Sequence, residues 1–258
     1  MYLSRFRINT ARPGARRLLS SPQSLHAAVM SSFPHLLPTS DTADGPRVLW
    51  RLDRNAVAEA LLYVVSPDRP DMTHLVEQAG WPAASSAEAP GWQTRPYAPF
   101  LDRLTEGSAW AFRLTANPVH QIRRKPGEPT KRTAHLTTIH QMDWLLDERR
   151  QERGGFLICE KPADKRLLPG GTTRHDRPHH GDRYELMVRD QRNLSFAKRQ
   201  PNSASEQHHV TLVTVTYDGR ITVTDPDRMR STLTNGLGKA KAYGCGLMTL
   251  VPLPTTEG

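Results

Sequence analysis

Thirteen residues near the end of the chain, Asn235 to Leu247, combine the groups needed to hold a phosphate. Gly236, Gly238, Gly244 and Gly246 bracket Lys239, Lys241 and Tyr243. Glycine has no Cβ, so such a loop can take positive φ and let another molecule approach its backbone. Successive amide N–H groups there can form a concave anion site. The two lysines add positive charge, and Tyr243 offers a flat face for a base. The pattern reads as a phosphate-gripping loop for nucleic acid. The same residues would also serve as a glycine-rich turn before a last strand.

His26 is the best-placed proton-transfer group, since imidazole is the side chain that titrates near neutral pH. It lies one residue round from Leu25, Val29 and Phe33, which recur at the spacing of a buried helical stripe. A histidine at the edge of an apolar stripe can also be purely structural. Other chemistries find little support. Cys-x-x-Cys, His-Glu-x-x-His and EF-hand patterns are absent. His175, His179, His180, His208 and His209 fall in segments that read as loop, with no matching acidic or cysteine set, so no metal and no cofactor are expected. Gly236-x-Gly238 follows a helix and precedes a strand, the reverse of a dinucleotide fingerprint.

These residues need elements to position them. Tyr2–Ile8 alternates as a first strand, and Arg12 to Arg17 reads as a basic turn. Ser21-Pro22 opens a helix to about Phe33, with Ser21 as cap. Strands are expected at Arg47–Asp53 and Ala60–Ser66, a short helix at Asp71–Ala79, a loop over Ala83–Pro90 and a weak strand near Gln93–Tyr97. The order is β-α-β-β-α-β. The second half repeats it more loosely. A strand through Trp110, Phe112 and Leu114 is followed by a basic loop with Arg123, Arg124, Lys125, Lys131 and Arg132. One helix is expected over Thr137–Arg153, with Ile139, Met142, Leu145 and Leu146 on its buried stripe and Gly154-Gly155 as its stop. Strands follow at Phe156–Cys159, Tyr184–Arg189 and Val210–Tyr217. Asp218-Gly219 predicts a hairpin turn to a return strand at Ile221–Thr224. A helix capped by Asp225-Pro226 then leads into the glycine loop and a last strand. The expected fold is α+β, with tandem ferredoxin-like (RRM-like, βαββαβ) domains over 1–104 and 105–258.

The chain has 258 residues and a net charge of +9. That excess points to a polyanionic partner, and its electrostatic attraction would be salt-dependent. No apolar run is long enough to span a membrane, and the N-terminus has no signal-peptide core, so a cytoplasmic location and no membrane partner are expected. Two cysteines, Cys159 and Cys245, suggest no disulfide framework.

The spacing Gly-x-Gly-x5-Gly-x-Gly resembles the C-terminal loop of CRISPR repeat-processing endoribonucleases. Ala15-Arg16-Arg17, Pro22 and His26, Leu49-Trp50-Arg51-Leu52, Phe112-Arg113-Leu114-x-Ala116-Asn117-Pro118, Trp144-Leu145 with Gly155-Phe156, and Asp218-Gly219 with Val223-x-Asp225-Pro226 are similar to the CasE subfamily of type I-E Cascade. The resemblance runs through nearly the whole chain. It implies metal-independent cleavage of CRISPR repeat RNA at the base of a hairpin, with other Cascade subunits as partners. It implies His26 as the catalytic histidine and the glycine loop as RNA-facing. Some relatives carry a tyrosine three residues before the histidine and a lysine five after it, where this chain has Gln23 and Ser31. Either His26 works with fewer partners, or another donor such as Lys239 or Lys241 substitutes, or turnover is slow. Arg16, Arg17, Arg123, Arg124, Lys125, Lys131, Arg132, Tyr243 and the four glycines are the expected RNA contacts. The ribose 2′-OH supplies the nucleophile, so in-line attack needs no metal, and His26 serves as general base or general acid. Two other classes compete: a non-catalytic RNA-binding subunit of the same fold, and a DNA-binding regulator, for which no helix-turn-helix pattern is found.

Overall fold

The computed structural model describes residues 1–34, 47–56, 59–81, 91–123, 129–166, 183–199 and 207–253. The chain forms two compact units. The first comprises Met1–Arg103, Phe196–His208 and Leu233–Leu247; the second comprises Leu104–Ser195, His209–Thr232 and Met248–Gly258. The glycine loop, which the sequence reading assigned to 105–258, therefore belongs with the first unit.

In the first unit, β1 (Tyr2–Asn9), β2 (Leu49–Ala56), β3 (Glu59–Ser66) and β4 (Trp92–Pro96) form an antiparallel sheet in the order β2-β3-β1-β4. That is the ferredoxin-like order. Phe6 and Ile8 are buried while Arg5 and Arg7 are exposed, as the alternation of β1 requires. The expected basic turn is instead helix α1 (Pro13–Leu19), because Pro13 starts it and Ala15 and Leu18 give it a buried face. Helix α2 (Pro22–Met30) stops short of Phe33, although Leu25, Val29 and Phe33 are all buried. Ser21 stands at its N-cap, but the hydroxyl makes no capping bond. Helix α3 (Thr73–Ala79) packs on β1 and α1. Together these elements bury a core that includes Phe6, Leu25, Val29, Trp50, Leu62 and Leu75. The short α4 (Ala98–Leu101) follows β4. The expected loop over Ala83–Pro90 lies outside the described residues.

In the second unit, β5 (Ala109–Ala116), β8 (Phe156–Ile158), β10 (Gln207–Val223) and β11 (Met248–Pro252) give the order β11-β5-β10-β8, and β9 (Leu186–Arg199) pairs with β10. β6 (Val119–Ile122) and β7 (Lys131–Ala134) pair antiparallel, so Lys131 and Arg132, expected in a basic loop, lie on a strand. The single helix expected over Thr137–Arg153 is two, α5 (Thr138–Leu146) and α6 (Glu148–Gly154). Asp147 breaks it: its backbone is extended and its carboxylate accepts from the Arg150 amide, capping α6. Ile139 is exposed, and the buried face carries Gln141, Met142, Trp144 and Leu145. Gly155 ends α6 at φ 71°, as expected of a C-terminal glycine.

Asp218-Gly219 is not a hairpin turn but the middle of β10. Asp218 pairs with Arg113 across β5, and its carboxylate accepts from Arg113 Nε and Arg189 Nε, each at 2.6 Å. A Cβ at Gly219 would lie 2.3 Å from the Glu185 carbonyl oxygen, so only glycine fits this packed strand. Helix α7 (Pro226–Asn235) begins where Asp225 Oδ1 accepts from the Asp227 and Arg228 amides, and it leads into the glycine loop. No helix among the described residues is long and apolar enough to cross a membrane.

Candidate active site

The site is built on the first unit. His26 projects from α2, half-buried and beside the apolar stripe that anchors the helix. Trp50 on β2 is 2% exposed, and its indole Nε1–H donates to His26 Nδ1 over 3.4 Å. Burial lowers the His26 imidazole below its ordinary value, which favours the neutral ring.

The glycine loop closes against the same elements. Gly236, Gly238, Gly244 and Gly246 have φ of 77°, 83°, 81° and 90°, the left-handed backbone expected of the pattern. The sequence suggested that the missing Cβ atoms leave room for a ligand. At Gly244 that room is taken by the protein. A Cβ there would lie 2.6 Å from Trp50 Cζ3 and 2.9 Å from Cη2. The loop is thus shaped to lie on the indole that also touches His26. Its ends are joined by Leu237 N–H donating to the Gly246 carbonyl at 2.9 Å. Arg51, buried on β2, is paired with Asp53 at 2.7 Å and donates from Nη1 to the Leu247 carbonyl at 3.1 Å, which fastens the loop's exit. Between these points, a single 3-10 turn, Lys241–Tyr243, packs on α2.

The two lysines have different surroundings. Lys239 is exposed. Lys241 is half-buried, and its ammonium donates to the Asn235 carbonyl at 2.7 Å, capping the C-terminus of α7. Burial, then the charges of Arg47 and Lys239, lower its pKa. Tyr243 is half-buried and meets Phe196 edge to face, with ring centroids 4.9 Å apart, so part of the expected base platform already has a partner. Cys245 is fully buried and its thiol is pushed up to about 12 by burial, which leaves it inert at neutral pH.

The other expected contacts are distributed. Arg16 and Arg17 are exposed in the last turn of α1, in the first unit. Arg123 is exposed just after β6, and Lys131 and Arg132 are exposed on β7, in the second unit. Arg124 and Lys125 lie outside the described residues. Of the histidines weighed for a metal, His175, His179 and His180 also lie outside them, and His209 is hydrogen-bonded to Ser195 at 3.0 Å. Among the described residues, no group of three His, Cys, Asp or Glu side chains could hold a metal ion. Gln23 is half-buried on α2, and Ser31 donates its hydroxyl back to the Ala27 carbonyl at 2.9 Å.

Sequence reasoning overlooked Trp50 and Arg51 as parts of this site. Both sit in an ordinary alternating strand, and nothing local marks a side chain whose partners are 24 and 196 residues away.

A family model described as CRISPR associated protein matches residues 1–252. The chain belongs to this family. It is 28% identical to the CRISPR-associated endoribonuclease Cse3 of Thermus thermophilus, over 98% of this chain and 100% of that protein. Among solved structures, Thermus thermophilus Cse3 bound to an RNA representing a pre-cleavage complex matches with a TM-score of 0.67 at 25% identity, covering 97% of this chain and 98% of that one. Cse3 bound to a 19-nucleotide RNA matches with a TM-score of 0.66 at 25% identity, over 98% and 100% of the two chains. The CRISPR-associated protein Cas6e of Escherichia coli shares the fold at a TM-score of 0.52 and 21% identity, over 98% and 100% of the two chains. The resemblance to CasE-type CRISPR endoribonucleases is borne out, and so is the tandem ferredoxin-like fold.

Proposed function

We propose that this protein binds the repeat hairpin of CRISPR precursor RNA and cuts it at the hairpin base without a metal. The 2′-oxygen next to the scissile phosphate attacks phosphorus, and the bond to the 5′-oxygen breaks. The products are a 2′,3′-cyclic phosphate and a 5′-hydroxyl. Because the nucleophile belongs to the substrate, the protein's work is alignment and charge stabilisation. His26 is the proton-transfer group, and Lys239 is the exposed cation of the glycine loop that can meet a phosphate. Arg16, Arg17, Arg123, Lys131 and Arg132 supply the phosphate grip, with Gly236, Gly238, Gly244, Gly246 and Tyr243 shaping the loop beside it. The protein then stays on the mature RNA as a cytoplasmic subunit of a type I-E Cascade complex. The observation that carries this reading is the half-buried His26 beside a lysine-bearing loop of left-handed glycines, in a chain of this family.

The test is incubation of pure protein with repeat RNA in EDTA, with the ends identified by mass spectrometry. Cut RNA with a cyclic phosphate is expected, and a single 2′-deoxy substitution at the scissile nucleotide should stop cleavage while leaving binding intact. RNA that is cut only with added divalent metal would overturn the mechanism. The Ser31 hydroxyl turned back to its own helix, at a position where the family resemblance implies a lysine in some members, favours a second reading. In it, the protein grips the hairpin without cutting, and bound but intact RNA is the outcome.

A further inference from the structure

Trp50 is the side chain on which the site's two halves meet. Its indole N–H donates to His26 Nδ1 at 3.4 Å, and Cζ3, Cη2 and Cε3 of its six-membered ring fill the space where Gly244 lacks a Cβ. It is 2% exposed and belongs to the core of the first unit, so its position is set by packing. A donor held at Nδ1 has a chemical consequence. Neutral imidazole carries one proton and one lone pair on its two nitrogens. If the lone pair on Nδ1 is used by Trp50, the proton must sit on Nε2.

We propose that Trp50 is a positioning residue that fixes His26 as its Nε2–H tautomer, and that the glycine loop holds Trp50 in place to do so. This rests on the reading of His26 as the proton-transfer group. In this state Nε2–H meets the RNA as a hydrogen-bond donor to a non-bridging phosphate oxygen. Giving that proton to the departing 5′-oxygen would need a proton taken up on Nδ1, so an acid role requires Trp50 to turn away. A base role toward the 2′-OH would require Trp50 to release Nδ1. The same bond stabilises the neutral ring, because an imidazolium would set two N–H donors against each other. It therefore adds to burial in keeping His26 uncharged.

Trp50→Phe tests this, since it keeps an aromatic ring against Gly244 and removes only the donor and the pyrrole portion. In free protein labelled with 15N-histidine, the His26 ring signals are identified by their loss in His26→Gln. The wild type should show Nδ1 unprotonated and Nε2 protonated. In Trp50→Phe the Nδ1–H tautomer should appear and the His26 titration midpoint should rise. Single-turnover cleavage should fall by up to roughly 100-fold, the low end of what a positioned acid or base contributes, while hairpin affinity stays within about threefold, because Trp50 is 2% exposed and offers no charged or surface group to a phosphate. An Nδ1–H tautomer in the wild type overturns the proposal even if the variant does not fold. An unchanged tautomer and midpoint in a folded variant overturns it as well. Failure of the wild type to cut RNA would instead overturn the proposed function, and the ring signals would still report on Trp50.

Discussion

His26→Ala should abolish cleavage, because no other imidazole lies in the site among the described residues, yet change hairpin affinity by less than roughly tenfold, because on the proposed function grip and proton transfer use different side chains. A near-normal single-turnover rate would remove His26 from the mechanism. The same residue makes stability depend on pH. Burial lowers its folded-state pKa, so below the ordinary imidazole value the unfolded chain takes up the proton more readily than the folded one. Stability is then fully present above that value and is lost as pH falls toward the folded pKa. His135 is shifted the same way, first by burial and then by the charges of His120 and His140. Urea denaturation at about pH 7 and about pH 5 should show this loss, and His26→Gln should reduce it. His26 could be nominated from the sequence because residue type and helical spacing are local facts, and its place on α2 is as expected. Trp50 was not, because a hydrogen bond between α2 and β2 leaves no trace in either segment.

The glycine loop makes sharper predictions. Gly244→Ala places a Cβ against the Trp50 ring at a positive φ, so it should cost more than about 1 kcal/mol in stability. It should also slow cutting, by displacing the indole from His26. A variant that melts and cuts like the wild type would reduce the loop to a turn. The two lysines should separate. Lys241→Met removes the ammonium from the Asn235 carbonyl and should lower stability by about 0.3–1 kcal/mol, the range for a cation at a helix C-terminus. Lys239→Met should leave the melting temperature unchanged and weaken RNA binding or cutting. Equal effects on stability would contradict the different surroundings of the two side chains. At this scale the sequence was readable where a local signal also wins in three dimensions, as at Gly155. It misled where tertiary contacts override the signal. Asp218-Gly219 has turn chemistry, but two arginines on the Asp218 carboxylate and the close Glu185 backbone hold it in a strand. Thr137–Arg153 has one helical period, yet Asp147 caps a new helix in its middle.

For the whole molecule, the +9 charge predicts that hairpin affinity falls by roughly tenfold or more between low and physiological salt, as several phosphate contacts release counterions. A flat response in a filter-binding titration would argue against the exposed arginines and lysines as the grip. Both ferredoxin-like sheets were legible from the order of strands and helices. The assignment of Leu233–Leu247 to the first unit was not, since it depends on Leu49 and Trp50 meeting Gly236 and Gly244, and Arg51 meeting the Leu247 carbonyl, nearly two hundred residues later. That arrangement has a consequence for synthesis. Domains fold broadly as they leave the ribosome, N-terminal first. Here the first unit emerges early but lacks the loop that braces Trp50 until almost the whole polypeptide has been made. On the proposed function, a nascent chain therefore carries His26 long before the loop that braces Trp50 exists, and a message that stops before the glycine loop is expected to give a protein that cuts no RNA.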